Sequence, residues 1–426
     1  MPETLSPEDA KDAAVRCKEI LLEYEITEVE IAFRESIFTR FAAPLLSHGS
    51  VFSHFLPLQL LNYPSYSDQT ADVCGTFTPA LGLQIAPKAY PYLEGTGCLY
   101  LCEGGANDHV FLLPPAMLFS PLHQIIHLGS RAYQNALEAI MQEMQYKSLM
   151  KDDCKDRCES LGEAIAGEDT EKTTNRKELE DRSAEAEAYF VRVDEFHSNI
   201  TRSWSAESRR IVEHIMYSPP ISVSTGDKRF TEDWALVELD RNKFDWNNFQ
   251  GNAIAIYHGT KFFDKFVKMY PDNETRANFN YPFDGLMKLR DFVKDGELLH
   301  PTLLDKNGEE CIIVIKNGAA TGLTLRRATG IESFVREYED NAIYTTSMAI
   351  AVYAYGHKDG AFSEPGDSGA VVGDAHSRIV GMIVGGAGKN DLTDVTYVTP
   401  YHFLDECIKK VFPDSHLYPI PDQTPP

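Results

Sequence analysis

The stretch EPGDSGAVVGD, Glu364 to Asp374, decides how the chain is read. A Gly-Asp-Ser-Gly core ahead of small and β-branched residues has two readings. It is a plain tight turn entering a strand, or it is the nucleophile loop of an acyl-transfer site. Gly366 lets the backbone bend so that N–H groups face one point, and Ser368 then presents its hydroxyl beside them. A serine hydroxyl is a weak nucleophile until a base takes its proton. The reading turns on whether the rest of the chain supplies a base, an orienting carboxylate and a strand-rich frame.

The bulk numbers suit such a frame. At 426 residues the chain is long enough for two or three folding units and a sizeable core. Apolar residues make up 43% and charged residues 24%, ordinary for a globular protein. No apolar run approaches the roughly 18 residues of a membrane-spanning helix. The opening MPETLSPEDAKDAAVRCKEILLEYE is acidic and amphipathic, unlike a secretory signal. The expected address is the cytoplasm, or cytoplasm and nucleus. Lysine and arginine total 40 against 64 acidic residues, a net charge of −24. That balance disfavours nucleic acid and anionic membranes as partners. The 8 cysteines are scattered without zinc-finger spacing, so reduced thiols and no cofactor are expected. The sequons at Asn199 and Asn273 are then unused.

Along the chain, Ser6 caps a helix running to about residue 24, with Pro7 in its first turn. VEIAFRESIFTRF alternates as a strand, and a loop-rich segment leads to Gly95. Two strands follow, Cys98–Cys102 and His109–Leu113, joined by a glycine-rich turn. Residues 131–212 are highly charged and helical. Tyr133, Leu137, Ile140, Met141 and Met144 share one face, and Tyr189, Val193, Phe196 and Ile200 another. An antiparallel, coiled-coil-like helical hairpin packing its two stripes together is expected, and it is a candidate arm for a protein partner. From 213 to 414 short strands return at regular spacing, closed by the helix FLDECIKKVF, which suggests a barrel or sandwich. Residues 1–94 then form an N-terminal extension, 95–130 the first part of the β-rich unit, and 415–426 a frayed tail.

Three segments in this order resemble trypsin-like serine peptidases. GDSGA, Gly366–Ala370, is similar to their nucleophile loop. DWALVEL, Asp233–Leu239, is similar to the segment that carries the triad aspartate. RIVGMIVGGAG and TYVTPYHFLDEC resemble the substrate-wall strand, last strand and terminal helix. KNGAATGLT, Lys316–Thr324, looks like a segment of intracellular, insertion-bearing relatives. The resemblance implies a mainly β chymotrypsin-like double β-barrel, with an N-terminal extension and a long helical-hairpin insertion. It implies peptide-bond hydrolysis, with Ser368 as nucleophile and Asp233 as the orienting acid. The N–H groups of Gly366 and Ser368 would form the oxyanion hole. Val384, Gly385 and Gly386 would form the wall that pairs with an extended substrate. Phe362 lies where the specificity-pocket floor belongs, and with no carboxylate there a basic side chain is not the implied preference.

The histidine departs from the pattern. After GTGCLYL and HVFLL the chain continues PPAMLF, so Met117 stands near the place of the expected histidine. Methionine has no titratable group and cannot take a proton from Ser368. The other candidate bases are His123, His127 and His357, while His109 begins the strand at its wrong end. With a base the chain reads as a serine-type hydrolase. Without one it reads as a catalytically inactive pseudo-peptidase that binds a peptide or protein. Arg378-Ile379-Val380-Gly381 matches an activation-cleavage pattern, but lies inside an expected core strand, where cutting would destroy the fold.

Overall fold

The computed structural model describes residues 6–27, 31, 39–40, 59–64, 70–116, 124–163, 169–256, 282, 284–305, 308–338, 344–353, 360–388 and 394–419. Met117, His123, His357, the sequon at Asn273, most of the VEIAFRESIFTRF segment and the PDQTPP tail lie outside them. Helix α1 (Pro7–Glu23) is capped by Ser6, whose side chain accepts from the Asp9 N–H. Strand β1 (Thr39–Arg40) and the short helix α2 (Ala71–Cys74) come next. A first run of strands follows: β2 (Gln84–Pro87), β3 (Gly95–Thr96), β4 (Leu99–Gly104), β5 (Asn107–Leu113) and β6 (Gln124–His127). Two long helices, α3 (Ser130–Ser160) and α4 (Thr170–Trp204), interrupt it.

After them come β7 (Ile211–Tyr217), β8 (Ser222–Thr225), β9 (Phe230–Glu232) and β10 (Leu236–Leu239). Further on lie β11 (Ala253–Ala255), β12 (Leu286–Lys288), β13 (Asp291–Phe292), the one-turn helix α5 (Asp295–Leu299) and β14 (Leu303–Leu304). The longer strands are β15 (Glu310–Gly318), β16 (Gly322–Tyr338) and β17 (Tyr344–Tyr353). Then come β18 (Val371–Asp374), β19 (Arg378–Ala387), β20 (Val395–Pro400), helix α6 (Tyr401–Val411) and β21 (His416–Leu417).

These strands make two principal sheets. The first has the order β21-β4-β5-β10-β7-β6-β2-β3 and curls into a half-barrel. It starts at Gln84, ahead of residue 95, so the segment expected to be loop-rich contributes a strand. Phe77, Leu81, Leu83 and Ile85 from that segment are buried in the main core. In the second sheet β15 pairs β16, β16 pairs β17, β17 pairs β20, β20 pairs β19, β19 pairs β18, and β18 returns to β15. Those six strands close a ring. Alternate residues of its strands fill it, including Ile312 and Val314, Ile350 and Val352, Val372, Val380 and Val398. The alternation follows from the two-residue period of a strand. Ile379 and Val380 are fully buried in β19, as the reading of the Arg-Ile-Val-Gly motif required.

The helices α3 and α4 pack along one another as the expected hairpin. At 31 and 35 residues they extend about 47 and 53 Å at 1.5 Å per residue. Of the expected α3 stripe, Ile140 is buried and Tyr133, Leu137 and Met144 pack against the core, while Met141 is exposed; Ala132, Ala136 and Cys154 are buried as well. Glu94, from outside the hairpin, accepts the Ala132 N–H at 2.7 Å and so caps α3 where Gly129 offers no side chain. An open cleft of about 830 Å³ lies toward the far end of the hairpin, lined by Lys151, Cys154, Cys158, Arg176, Glu180 and Glu187 among others. Its charges are mixed, and it does not touch Ser368. All eight cysteines are free thiols, and no described helix is long and apolar enough to cross a membrane.

Trp204, at the end of α4, ties the hairpin to the sheets by edge contacts with Phe77 at 5.1 Å and His127 at 5.7 Å. Replacing so large a buried side chain leaves a cavity. Trp204→Ala should cost about 3–5 kcal/mol in urea unfolding. Val191→Ala, on the exposed face of the same helix, should stay within about 0.5 kcal/mol.

Candidate functional site

The loop carrying Ser368 is shaped from its backbone outward. Asp367 N–H bonds the Glu364 carbonyl at 2.9 Å, and Ala370 N–H bonds the Asp367 carbonyl at 2.9 Å. Gly369 N–H bonds Ile383 of β19 at 2.8 Å. Gly366 and Gly369 adopt φ of +112° and +89°, which glycine takes without a Cβ penalty. A Cβ on Gly369 would strike the Thr96 carbonyl oxygen and come within 2.6 Å of Pro115. These bonds use the amides of Asp367, Gly369 and Ala370. Among the described residues, neither the Gly366 N–H nor the Ser368 N–H has an acceptor. The Ser368 hydroxyl is also buried without a hydrogen-bond partner. Most buried polar groups find partners, so a buried serine hydroxyl without one requires an explanation.

Beneath the loop lies a buried ion pair. Lys316, from β15, places its ammonium 3.1 Å from the Asp367 carboxylate, and both side chains are fully buried. The ammonium also donates to Thr321 Oγ1 and, at 2.9 Å, to the Gly322 carbonyl. The carboxylate accepts the N–H groups of Ala320 at 2.8 Å, Thr321 at 3.3 Å and Glu364 at 3.1 Å. Thr321 Oγ1 adds a fourth contact at 2.6 Å. Buried charges persist only when paired and hydrogen-bonded in this way. Gly318 gives them room, since a Cβ there would collide with the Asp367 carboxylate.

The other segments converge on this loop. Thr96 donates its N–H to the Ser368 carbonyl at 2.8 Å and its hydroxyl to the Gly366 carbonyl at 2.9 Å. Pro115 lies against Gly369, and the Pro114 carbonyl accepts the Ala235 N–H at 2.9 Å. The Asp233 segment and the serine loop are therefore joined through Pro114–Pro115. Asp233 is 1% exposed and engaged rather than free. Val384, Gly385 and Gly386 are buried in β19, the strand that receives Gly369. Phe362 is fully buried in the ring's core, and its carbonyl accepts the Thr324 hydroxyl at 2.8 Å.

His127 is occupied elsewhere. Its Nδ1 lies 3.0 Å from the Gln84 carbonyl oxygen and its Nε2 2.9 Å from that of Thr76, which leaves no ring nitrogen for Ser368. His109 sits beside Glu103 and Glu238 at the far end of β5. Among the described residues no imidazole meets Ser368. Lys316 is not among the expected site residues, although it opens the segment KNGAATGLT. Its signal is a lysine inside the apolar run CIIVIK, which a central strand tolerates only with a buried partner. No family model matches the chain, and no curated protein matches it either.

Two predictions follow from these buried charges. Removing one partner strands the other, so Lys316→Met should lose about 3–5 kcal/mol in urea unfolding. Burial lowers the His127 pKa to about 4, aided by the Arg210 and Lys243 charges and opposed by the two carbonyls. The unfolded chain, titrating near 6.5, then binds more protons than the folded one between the two values. Stability should fall by up to about 3 kcal/mol as pH drops from 6.5 to 4. His127→Gln should flatten that part of the urea-midpoint profile.

Proposed function

We propose that the chain is a serine-peptidase-like protein of the chymotrypsin fold, a double β-barrel whose second barrel is the closed ring. Ser368 is the nucleophile and Asp233 the orienting carboxylate. The observation that carries this reading is the trio of unpartnered groups in one loop: the Ser368 hydroxyl and the N–H groups of Gly366 and Ser368. A hydroxyl beside two free amides is what an acyl-transfer site offers. The half-barrel, the helical insertion and the junction of the Asp233 and Ser368 segments support the same reading.

In the reaction, Ser368 Oγ attacks the peptide carbonyl carbon and its proton passes to the base. The Gly366 and Ser368 N–H groups hold the oxyanion of the tetrahedral intermediate. The carbon–nitrogen bond breaks, the amine leaves with the proton, and water hydrolyses the acyl-enzyme. The base must approach within about 2.6–3.2 Å of Oγ. His123 and His357 are the candidates left once His127 is set aside.

A second reading, a non-catalytic peptide-binding protein, is favoured by Pro114–Pro115–Ala116, which stand where the family's histidine segment belongs. Losing the base of such a triad costs on the order of 10⁶ in turnover but does not require losing the cleft. A fluorophosphonate probe separates the two. The hydrolase reading predicts labelling of the wild type, none of Ser368→Ala, and loss in either His123→Ala or His357→Ala. A folded wild type that takes no label sinks the hydrolase and leaves the binding protein.

A further inference from the structure

The edge of β19 next to the serine loop is already occupied. Over its first half, β19 is flanked by β18, with Val371 opposite Met382 and Val372 opposite Gly381. Beyond Val371 the line of β18 gives way to the serine loop, where the Gly369 N–H and Ala370 carbonyl bond Ile383. Past that point the same edge is taken by β1, antiparallel, with Arg40 opposite Gly385 and Thr39 opposite Gly386. The two glycines have no side chains to hold a neighbouring backbone away. The other side of β19 is taken by β13 at Arg378–Ile379 and by β20 from Gly381 onward, with Gly385 opposite Tyr397 and Gly386 opposite Thr396. The antiparallel sense directs the chain from Thr39 to Arg40 toward Ile383, the residue bonded to the serine loop.

We propose that the edge of β19 at Gly385–Gly386 is a docking strand for an extended peptide, and that the chain's own Thr39–Arg40 segment occupies it as an internal competitor. The inference rests on the reading of β19 as the substrate wall and adds the identity of its resident occupant. A strand added to a sheet edge binds mainly through its backbone, so a free peptide and the tethered segment use the same bonds. The tether gives the segment an effective concentration that can reach the order of mM, so a free peptide must displace it to enter. Access to Ser368 along β19 is then set by release of this segment.

The test uses the full chain carrying Thr39→Pro and Arg40→Pro, which removes both N–H donors of the segment and leaves β19 untouched. The probe is a fluorescein-labelled peptide SIFTRFAA, the chain's own residues 36–43, followed by fluorescence anisotropy. The double variant should bind it at least tenfold more tightly than the wild type. Equal affinities, or no binding to the variant, would overturn the proposal. Hydrogen exchange on the unmodified chain gives a reading that needs no variant. Successive strand residues send their N–H groups to opposite sides, so one of Gly385 and Gly386 faces β20 and the other faces β1. Both amides should be protected; protection of only one contradicts the proposal. Peptide binding is read by anisotropy and needs no acylation, so its outcome is independent of labelling. Binding without fluorophosphonate labelling removes the hydrolase and keeps the docking edge; labelling without peptide binding does the reverse.

Discussion

The serine loop depends on two charges held out of water. Asp367 precedes the serine, and its carboxylate is bound by the Lys316 ammonium and by N–H groups from both the β15–β16 turn and the loop itself. One buried carboxylate thus fixes the turn, the strand end and the loop relative to each other. Within the loop the Glu364 N–H is bound to the carboxylate, and those of Gly366 and Ser368 have no acceptor among the described residues. The countercharge comes from a side chain within β15, so the loop takes its shape as the ring folds. Gly318 is part of the same constraint, because any Cβ there would enter the space of the carboxylate.

The second constraint joins the two sheets. Thr96, from the half-barrel, binds both Gly366 and Ser368 of the ring. Pro114–Pro115 sit between the serine loop and Ala235. The candidate site therefore lies at the junction of the two sheets, where residues distant in sequence meet. Its precision rests on packing at that junction. The hairpin attaches on another side, through Trp204 against Phe77 and His127.

Much of this was legible in the sequence because it is local. The hairpin declared itself by a long charged segment with apolar stripes. The ring strands declared themselves by short β-branched runs, and the loop by Gly-Asp-Ser-Gly. What was illegible is non-local. Lys316 and Asp367 are 51 residues apart, and nothing in either neighbourhood names the other. Met141 falls on the apolar stripe by spacing, yet it is exposed while Tyr133, Leu137 and Met144 of the same stripe pack against the core. The strand Gln84–Pro87 hid in a segment rich in turn residues, because its partner β6 lies about 40 residues further on. The pairing of Thr39–Arg40 with Gly385–Gly386 spans most of the chain and leaves no local mark.

The central claim is that the Ser368 loop is held ready to receive a carbonyl and the negative charge that develops on its oxygen. The most direct measurement is a crystal structure of the full chain with a short peptide boronic acid, whose tetrahedral adduct mimics that charge. The account predicts boron bonded to Ser368 Oγ and one boronate oxygen accepting from the Gly366 and Ser368 N–H groups, over an intact Lys316–Asp367 pair. A loop that turns those two N–H groups away from Ser368, with no adduct on its oxygen, would contradict it.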